Sequence, residues 1–274
     1  MNSIDWRAYA PGDHRIACPS CARGERDKSA GLTIDADGAG VLHCFRCSHV
    51  ETFRPERGAV LRAPAIQPER KPHTQKHTSL SDWGRDFWND CRPLAGVALD
   101  YLSARHCATP PAGAHLRWHP SVKHPSGYVG PTLVGLVTDA QTGEPLSLHR
   151  TWITSTGKAE VSPPRMQLAN HSLDGGVIRL WPDEYVTHGL AVGEGIETCL
   201  SLAHGYTPVW CVIDAGHLSK FPVIPGVELL VIARDNDAAG IAAAHSCAAR
   251  WVDAGCEVLV TAQSKNDIND EVSV

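Results

Sequence analysis

The sequence predicts an α/β core, a small parallel sheet flanked by helices, that follows an α+β region and a separate small β module rich in cysteine. Three observations predict this fold. Near the C-terminus, short and almost wholly apolar runs alternate with helix-like stretches, as buried parallel strands do. Ahead of them, apolar runs joined by a turn indicate a hairpin. Near the N-terminus, two Cys-x-x-Cys pairs flank a short stretch with strand-like alternation.

Length and composition set the outer limits. The chain has 274 residues, of which 43% are hydrophobic, so it can form one large or two small domains with proper cores. The formal net charge is -5, but residues 1–80 are mildly basic and the remainder is acidic. No apolar run approaches the length of a membrane span, and the N-terminus lacks a signal-peptide pattern. We therefore expect a cytoplasmic protein with no membrane partner.

The two cysteine pairs are Cys18-Pro-Ser-Cys21 and Cys44-Phe-Arg-Cys47, with 22 residues between them. In a reducing compartment this spacing is typical of a tetrahedral four-thiolate zinc site rather than of disulfides. Each pair supplies two thiolates from one tight turn. The alternatives are four unrelated free cysteines, or redox pairs, although neither pair has βαβ context. We predict one structural Zn²⁺ held by Cys18, Cys21, Cys44 and Cys47.

The stretch between the pairs reads as a hairpin. Leu32 and Ile34 alternate, Asp37-Gly38 can form the turn, and Val41 and Leu42 belong to the return strand. Residues 1–55 are therefore predicted to form a zinc ribbon. His43 and His49 flank the second pair and are not expected to be ligands. Basic residues in or beside the ribbon either contact phosphates or form a solvated face: Arg15, Arg23, Arg26, Lys28 and Arg46.

Residues 56–80 are polar, contain several prolines and show no periodicity, which predicts a flexible linker. Residues 81–187 are predicted to be an α+β region. Ser81 can cap a first helix, and a second short helix is expected at residues 96–105. Residues 133–138 and 145–153 form a predicted hairpin, and residues 175–181 a further strand.

This α+β region contains a few basic residues that favour a phosphate-binding role. Arg150 lies on the return strand of the hairpin, and Lys158 and Arg165 follow it. In an acidic half of a chain, clustered cations near a metal site would steer and hold polyphosphate or template. The alternative, ordinary surface charge, applies most to Lys158 and to Arg179.

Residues 188–274 alternate strands and helices. Strands are predicted at residues 190–193, 208–213, 228–233 and 258–261, with a helix after the first and an alanine-rich helix at residues 238–254. The inward face of that last helix is predicted to carry Ile241, Ala244, Ala248, Trp251 and Val252. This pattern indicates a small doubly wound unit.

Acidic residues follow the strands of this unit. Glu194 follows the first strand, Asp214 the second, and Asp235 and Asp237 the third. Ligands of such sheets bind at the carboxyl ends of the strands. Carboxylates are the ligands that Mg²⁺ or Mn²⁺ takes, so Glu194, Asp235 and Asp237 are predicted to bind a catalytic divalent metal. A helix N-cap is the alternative for Asp237, and a loop turn for Asp235.

The combination of Glu194-Gly195 with Asp235-Asn236-Asp237-x-x-Gly240 resembles the Toprim domain of bacterial-type primases, type IA and II topoisomerases and some nucleases. The fuller strings VGEGIETCLSL and ARDNDAAG, with Asp267-Ile-Asn-Asp270, resemble the branch found in phage and plasmid primases. The four-cysteine ribbon at the front suits the same branch. The resemblance covers most of the chain.

This resemblance implies a DNA primase that makes short primers on a single-stranded DNA template from nucleoside triphosphates. It implies that Glu194, Asp235 and Asp237 bind the catalytic metals, and that the ribbon recognises the template. Arg150, Lys158 and Arg165 become candidates for template and nucleotide contacts. The chain has no P-loop motif, so a replicative helicase would be a separate partner. The alternatives are a metal-dependent Toprim nuclease and a non-catalytic, zinc-dependent DNA-binding accessory protein of replication.

Overall fold

A computed structural model describes residues 4–21, 27–55, 76–265 and 268–269. These residues fall into two compact units, one within Met1–His73 and one within Thr74–Val274. The division between the units lies inside the predicted linker. Several predictions lie outside the described residues, namely residues 56–75 of the linker and the side chains of Arg23, Arg26, Asp267 and Asp270.

The described residues of the N-terminal unit form an antiparallel sheet in the order β1-β2-β3-β4. The strands are β1 (Gly12–Ile16), β2 (Ala30–Ile34), β3 (Gly40–Cys44) and β4 (Val50–Phe53). Inward residues of β2 and β3 alternate with exposed ones, and Leu32 and Leu42 pack with Trp6 in a small core. The turn of the predicted hairpin is confirmed at Gly38, whose φ of 81° suits glycine.

The described residues of the C-terminal unit form a nine-stranded sheet in the order β13-β12-β10-β11-β9-β6-β7-β8, with β5 paired to β6. The antiparallel part comprises β5 (Leu116–Lys123), β6 (Val129–Asp139), β7 (Pro145–Trp152), β8 (Arg165–Gln167) and β9 (Gly176–Arg179). The remaining strands run parallel to one another: β10 (Gly189–Gly193), β11 (Val209–Cys211), β12 (Leu229–Ala233) and β13 (Glu257–Val260). The predicted small parallel sheet is confirmed, and so is the hairpin ahead of it.

The helices of this unit are α1 (Asp82–Asp90), α2 (Val97–Ala104), α3 (Ile196–Leu202), α4 (Ala215–Lys220) and α5 (Ala238–Asp253). Ser81 caps α1, as predicted, by accepting a hydrogen bond from the backbone N–H of Gly84 at 3.3 Å. The sequence did not predict the short helix α4. No helix among the described residues is long and apolar enough to cross a membrane.

Two apolar cores lie on the two faces of the parallel strands. Side chains alternate along β10, so that Leu190 and Val192 face the core that contains Trp251 of α5, whereas Ala191 faces the core that contains Cys199 of α3. The predicted flanking of the sheet by helices is thus confirmed. One prediction for α5 is wrong: Val252 does not face the core and is 56% exposed. It follows the buried Trp251 directly, and adjacent side chains of an α-helix point about 100° apart. Ala243 and Cys247 are buried inward positions that were not predicted.

Candidate active site

The carboxyl ends of β10, β11 and β12 meet at one edge of the sheet. Gly193, at the end of β10, pairs with Cys211 on one side and with Ala233 on the other. Because the three strands are parallel and in register there, the residues that follow them emerge together. Glu194, Asp214 and Asp235 are therefore brought to the same edge, as the sequence predicts.

Glu194 is a strongly perturbed carboxylate at this edge. Burial, and then the charges of Asp235, Asp237 and Asp214, raise the pKa of Glu194 to about 8. Within the described part of the chain, its buried Oε1 atom has no hydrogen-bond partner. A buried acceptor without a donor, among other carboxylates, is a position that a divalent cation would stabilise.

Asp235 and Asp237 lie on the turn between β12 and α5. Asp237 caps α5 by accepting a hydrogen bond from the backbone N–H of Gly240 at 2.8 Å, through its Oδ1 atom. The helix-cap role weighed from the sequence is therefore real. Gly240 packs against the turn so closely that a Cβ atom there would lie 2.5 Å from the carbonyl oxygen of Asp235. The helix start thus holds the Asp235 backbone in place.

These carboxylates fit a divalent metal by chemistry but do not converge on one point. Among the described residues, only the four cysteines form a group of three or more possible ligands whose donor atoms all lie within 4.8 Å of one another. We call the sheet edge that carries Glu194, Asp214, Asp235 and Asp237 the acidic edge. It provides hard oxygen donors, the neighbouring carboxylates repel the charge of Glu194, and the Oε1 atom of Glu194 is buried. Glu194, Asp235 and Asp237 are therefore the residues that would hold Mg²⁺ or Mn²⁺ there.

The four sulfur atoms of the N-terminal unit do converge. Cys18 Sγ lies 3.7 Å from Cys47 Sγ, and Cys21 Sγ lies 3.6 Å from Cys44 Sγ. The backbone N–H groups of Ser20 and Arg46 each donate to a sulfur at 3.4 Å, which stabilises thiolates. Four thiolates in this arrangement suit the tetrahedral coordination of zinc.

The outward face of the N-terminal sheet is aromatic and cationic. Arg15, Gly31 and His43 form one row across β1, β2 and β3. The ring of Phe45 lies over Gly31, where a Cβ atom would be 2.9 Å from it. The Arg15 guanidinium is 4.4 Å from the ring centroid of Phe45, and the His43 ring centroid is 5.0 Å away. Phe45 is nevertheless 62% exposed, so its ring can stack on a nucleic-acid base.

Two of the three predicted phosphate-binding cations lie together, on one buried carboxylate. Lys158 Nζ is 3.0 Å from Glu197 Oε1, and Arg165 Nη2 is 3.5 Å from Glu197 Oε2. Glu197 lies in the first turn of α3, three residues after Glu194. Glu197 is not among the site residues predicted from the sequence, although its position within the string VGEGIET is a signal for it.

Arg150 and Arg179 lie elsewhere. Arg150 is on the opposite face of β7 from His149 and Thr151, since side chains alternate along a strand. Its guanidinium donates to the carbonyl oxygen of Gln167 and lies 5.5 Å from the ring centroid of Trp152. Arg179 is only 4% exposed and is engaged by the protein itself. The structure thus groups Lys158 with Arg165 and separates them from Arg150.

A hydrogen-bonded pair formed by Asp214 and His217 lies at the acidic edge. Asp214 caps α4 and accepts hydrogen bonds from the backbone N–H and from Nδ1 of His217, at 2.9 Å and 2.8 Å. These bonds raise the pKa of His217, and they lower the pKa of Asp214 although its burial acts in the opposite direction. Both residues line a cavity of about 340 Å³ together with Asp174 and Lys220. The pair was not predicted, because α4 itself was not.

Two family models match the chain. The first, described as a domain of unknown function (DUF7146), matches residues 78–180. The second, described as a Toprim domain, matches residues 189–273 and confirms that resemblance. No curated protein is similar enough to the chain to count as a match.

Solved structures resemble the chain at low sequence identity. The primase fragment of the bacteriophage T7 primase-helicase protein is 16% identical, with 94% of this chain and 92% of that chain covered and a TM-score of 0.42. A DNA primase domain from Pseudomonas aeruginosa is 14% identical, with coverages of 70% and 74% and a TM-score of 0.44. The Aquifex aeolicus primase, comprising zinc-binding and RNA polymerase domains, is 14% identical, with coverages of 96% and 76% and a TM-score of 0.44.

Proposed function

Since residues 189–273 of this chain form a Toprim domain, we propose that the protein is a DNA primase that makes short primers on single-stranded DNA. The observation that carries the proposal is the acidic edge. Glu194, Asp235 and Asp237 follow neighbouring strands, and burial together with the charges of Asp235 and Asp237 raises the pKa of Glu194. Lys158 and Arg165 are joined to α3, which begins at that edge.

The reaction joins two nucleoside triphosphates on the template. The 3′-hydroxyl oxygen of one nucleotide forms a bond to the α-phosphorus of the next, the bond from that phosphorus to the bridging oxygen breaks, and pyrophosphate leaves. The hydroxyl proton passes to solvent. Glu194, Asp235 and Asp237 would hold a divalent metal, which would supply positive charge against the negative charge that develops on the phosphate oxygens.

The chain's own residues bind and orient the reactants. Lys158 and Arg165 provide N–H donors for phosphate oxygens, which bind ionised donors most strongly. Gly240 keeps the turn that carries Asp235 and Asp237 against the start of α5. The metal-binding carboxylates are thereby held in place before the substrate arrives, which lowers the cost of reorganisation during the reaction.

The N-terminal unit is assigned to template binding. Zinc held by the four cysteines keeps β1 to β4 folded around a small core. The exposed ring of Phe45, with Arg15 beside it, offers a stacking surface for an unpaired base and a cation for its phosphate.

Phe45→Ala is expected to weaken binding of single-stranded DNA without changing the unfolding of the C-terminal unit.

Primer synthesis on a library of single-stranded templates tests the function, with ribo- or deoxyribonucleoside triphosphates and with Mg²⁺ or Mn²⁺. We expect short, template-dependent products, and a loss of more than about 100-fold when Asp235→Ala and Asp237→Ala are combined. Asp253→Asn, which neutralises an exposed carboxylate at the far end of α5, is the matched control and should retain activity. Synthesis that survives the double substitution overturns the proposal.

The same experiment separates the rival functions. Cleavage of DNA or RNA without added nucleotides, abolished by the same double substitution, would assign the edge to a nuclease. Binding of single-stranded DNA with neither synthesis nor cleavage, and no Mg²⁺ binding at millimolar concentration, would assign the protein to the accessory class.

A further inference from the structure

Glu197 is a buried carboxylate whose two oxygen atoms are both engaged. The residue is 6% exposed. Its Oε1 atom accepts a hydrogen bond from the hydroxyl of Tyr101 at 2.6 Å and lies 3.0 Å from Lys158 Nζ. Its Oε2 atom lies 3.5 Å from Arg165 Nη2. A carboxylate this buried is stable only with such partners, and its committed oxygens exclude Glu197 as a further metal ligand in this arrangement.

The cluster has more positive than negative charge. One carboxylate faces two cations, and burial of Glu197 is outweighed by Arg165, Lys158 and Tyr101, which together lower its pKa to about 2. His149 beside them adds no charge near neutral pH, because burial, and then Arg165, lower its pKa to about 4. Glu197, Lys158 and Arg165 therefore carry one net positive charge over the range in which enzymes work.

The exposed part of the cluster is its cationic part. The side chain of Glu197 is 8% exposed, whereas those of Lys158 and Arg165 are 27% and 45% exposed. A lysine ammonium has three N–H donors and an arginine guanidinium has five. Glu197 lies beside the Lys158 ammonium through one oxygen and beside the Nη2 atom of Arg165 through the other, so further N–H donors of both cations remain for a second anion.

We propose that Glu197 is a positioning residue of primer synthesis, which holds Lys158 and Arg165 side by side as the binding site for the triphosphate of a nucleotide. The inference rests on the proposed function and deepens it. Glu197 touches neither substrate nor metal and acts through the two cations. Its place in the first turn of α3, three residues after Glu194, fixes the cations relative to the acidic edge.

The direction in which Glu197→Gln changes nucleotide binding distinguishes a positioning role of Glu197 from an effect of its charge alone. Glu197→Gln removes a negative charge, and bulk electrostatics alone would then favour binding of a polyphosphate. Positioning has the opposite effect, since Lys158 and Arg165 would repel each other and regain the rotamer freedom of long side chains. Weaker nucleotide binding after the removal of a negative charge is therefore diagnostic.

Steady-state kinetics of the full chain with Glu197→Gln tests the inference. We expect the KM for nucleoside triphosphate to rise about tenfold, the effect of releasing two ordered side chains, with kcat changed less than about threefold. Glu257→Gln, which neutralises an exposed carboxylate on β13, is the matched control and should leave both constants unchanged. An unchanged or lowered KM, or a loss confined to kcat, overturns the inference.

A double-mutant cycle tests whether Glu197 acts through the cations. In a chain that carries Lys158→Met and Arg165→Met, Glu197→Gln should raise KM no further. A tenfold rise that persists in this background overturns the inference.

Should Glu197→Gln fail to fold, Glu197→Asp and Tyr101→Phe replace it, because both keep the negative charge while loosening its placement. Each is then expected to raise KM, and an unchanged KM in both overturns the inference.

Calorimetric titration with inorganic triphosphate keeps this inference separate from the proposed function. A wild-type chain that makes no primers refutes the proposed function but leaves the binding site open to measurement. Binding that is about tenfold weaker in Glu197→Gln than in wild type supports the positioning role. Equal or tighter binding overturns it.

Discussion

At the scale of single residues, the acidic edge depends on a position with no side chain. Gly240→Ala would place a Cβ atom 2.5 Å from the carbonyl oxygen of Asp235, a backbone atom that cannot rotate away. We expect a loss of about 1–3 kcal/mol in the free energy of unfolding, despite the better helix propensity of alanine, together with weaker Mg²⁺ binding. Urea denaturation and metal titration measure the two effects.

Gly205→Ala is the matched control for that substitution. Its nearest contact would be the carbonyl oxygen of Leu202 at 3.8 Å, an ordinary separation. Its effect on the free energy of unfolding should stay within about 0.5 kcal/mol. Equal stability of the two variants would show that the close approach to Asp235 is relieved without cost.

His217 makes stability depend on pH. Hydrogen bonding to Asp214 raises the pKa of His217 in the folded chain, and the charge of Asp174 acts in the same direction. Its stabilisation is therefore fully present below the unfolded pKa near 6.5 and is lost as the pH rises through the higher folded value. Asp214 is half exposed, so solvent screening keeps the effect near 1 kcal/mol.

Substitution tests this sign. His217→Gln should reduce the free energy of unfolding, relative to wild type, by more at pH 6 than at pH 9, as followed by tryptophan fluorescence in urea. His188→Gln removes an imidazole that is 70% exposed and should change stability by less than about 0.5 kcal/mol. A deficit that is larger at pH 9 than at pH 6 contradicts the prediction.

The residues that could be named from the sequence are those whose position follows from a local pattern. Glu194 and Asp235 directly follow apolar runs, so their meeting at one edge could be predicted once the strands were taken as parallel. Glu197 could not be assigned its partners, because Lys158 and Arg165 lie far from it in sequence and only the packing of α3 brings them together.

At the scale of elements, the four-cysteine cluster is expected to control the N-terminal unit alone. Its apolar core is small, and its ligand sulfurs hold the two turns together. Chelation of zinc should remove hydrogen-exchange protection from β1 to β4 and leave β10 and β12 protected. Cys47→Ser should have the same effect, whereas Cys256→Ser, outside the cluster, should not. Protection of β1 to β4 that survives chelation contradicts the prediction.

Elements with strong internal patterns were predicted, and elements of mixed polarity were not. The apolar runs of β10 and β12 and the alanine-rich α5 match their predicted positions within about one residue. The strands β1, β4, β5 and β8 were missed, because each is of mixed polarity and is defined by its pairing with a neighbour. The helix α4 is only six residues long and depends on its Asp214 cap.

At the scale of the whole C-terminal unit, Arg179 joins the antiparallel and parallel parts of the sheet. It lies at the end of β9, between β6 and β11, donates to the carbonyl oxygens of Asp139 and Ala140, and covers the ring of Trp210 at 4.5 Å. Arg179→Met would remove the Arg179 donor from the buried carbonyl oxygen of Ala140 and would leave the carbonyl oxygen of Asp139 with the backbone N–H of Gly143 alone. We expect a loss of about 3 kcal/mol in the free energy of unfolding, measured by urea denaturation.

The partner of Arg179 supplies the control for that prediction. Asp183 is 63% exposed, and an exposed ion pair contributes little. Asp183→Asn should therefore cost less than about 1 kcal/mol. A similar loss for both variants would assign the effect to the ion pair instead of to the buried carbonyl groups.

The place of Glu197 on α3 has a consequence for how chain length can vary here. Each residue turns an α-helix by about 100°, so one residue inserted between Glu194 and the start of α3 would require the whole helix to re-seat or would turn Glu197 away from Lys158 and Arg165. One residue inserted between Ser155 and Thr156, at the exposed tip of the turn Thr154–Gly157, would extend into solvent and disturb only the hydrogen bonds that close this turn. Insertions and deletions should thus be tolerated in the turn that precedes Lys158 and should not be tolerated between Glu194 and α3.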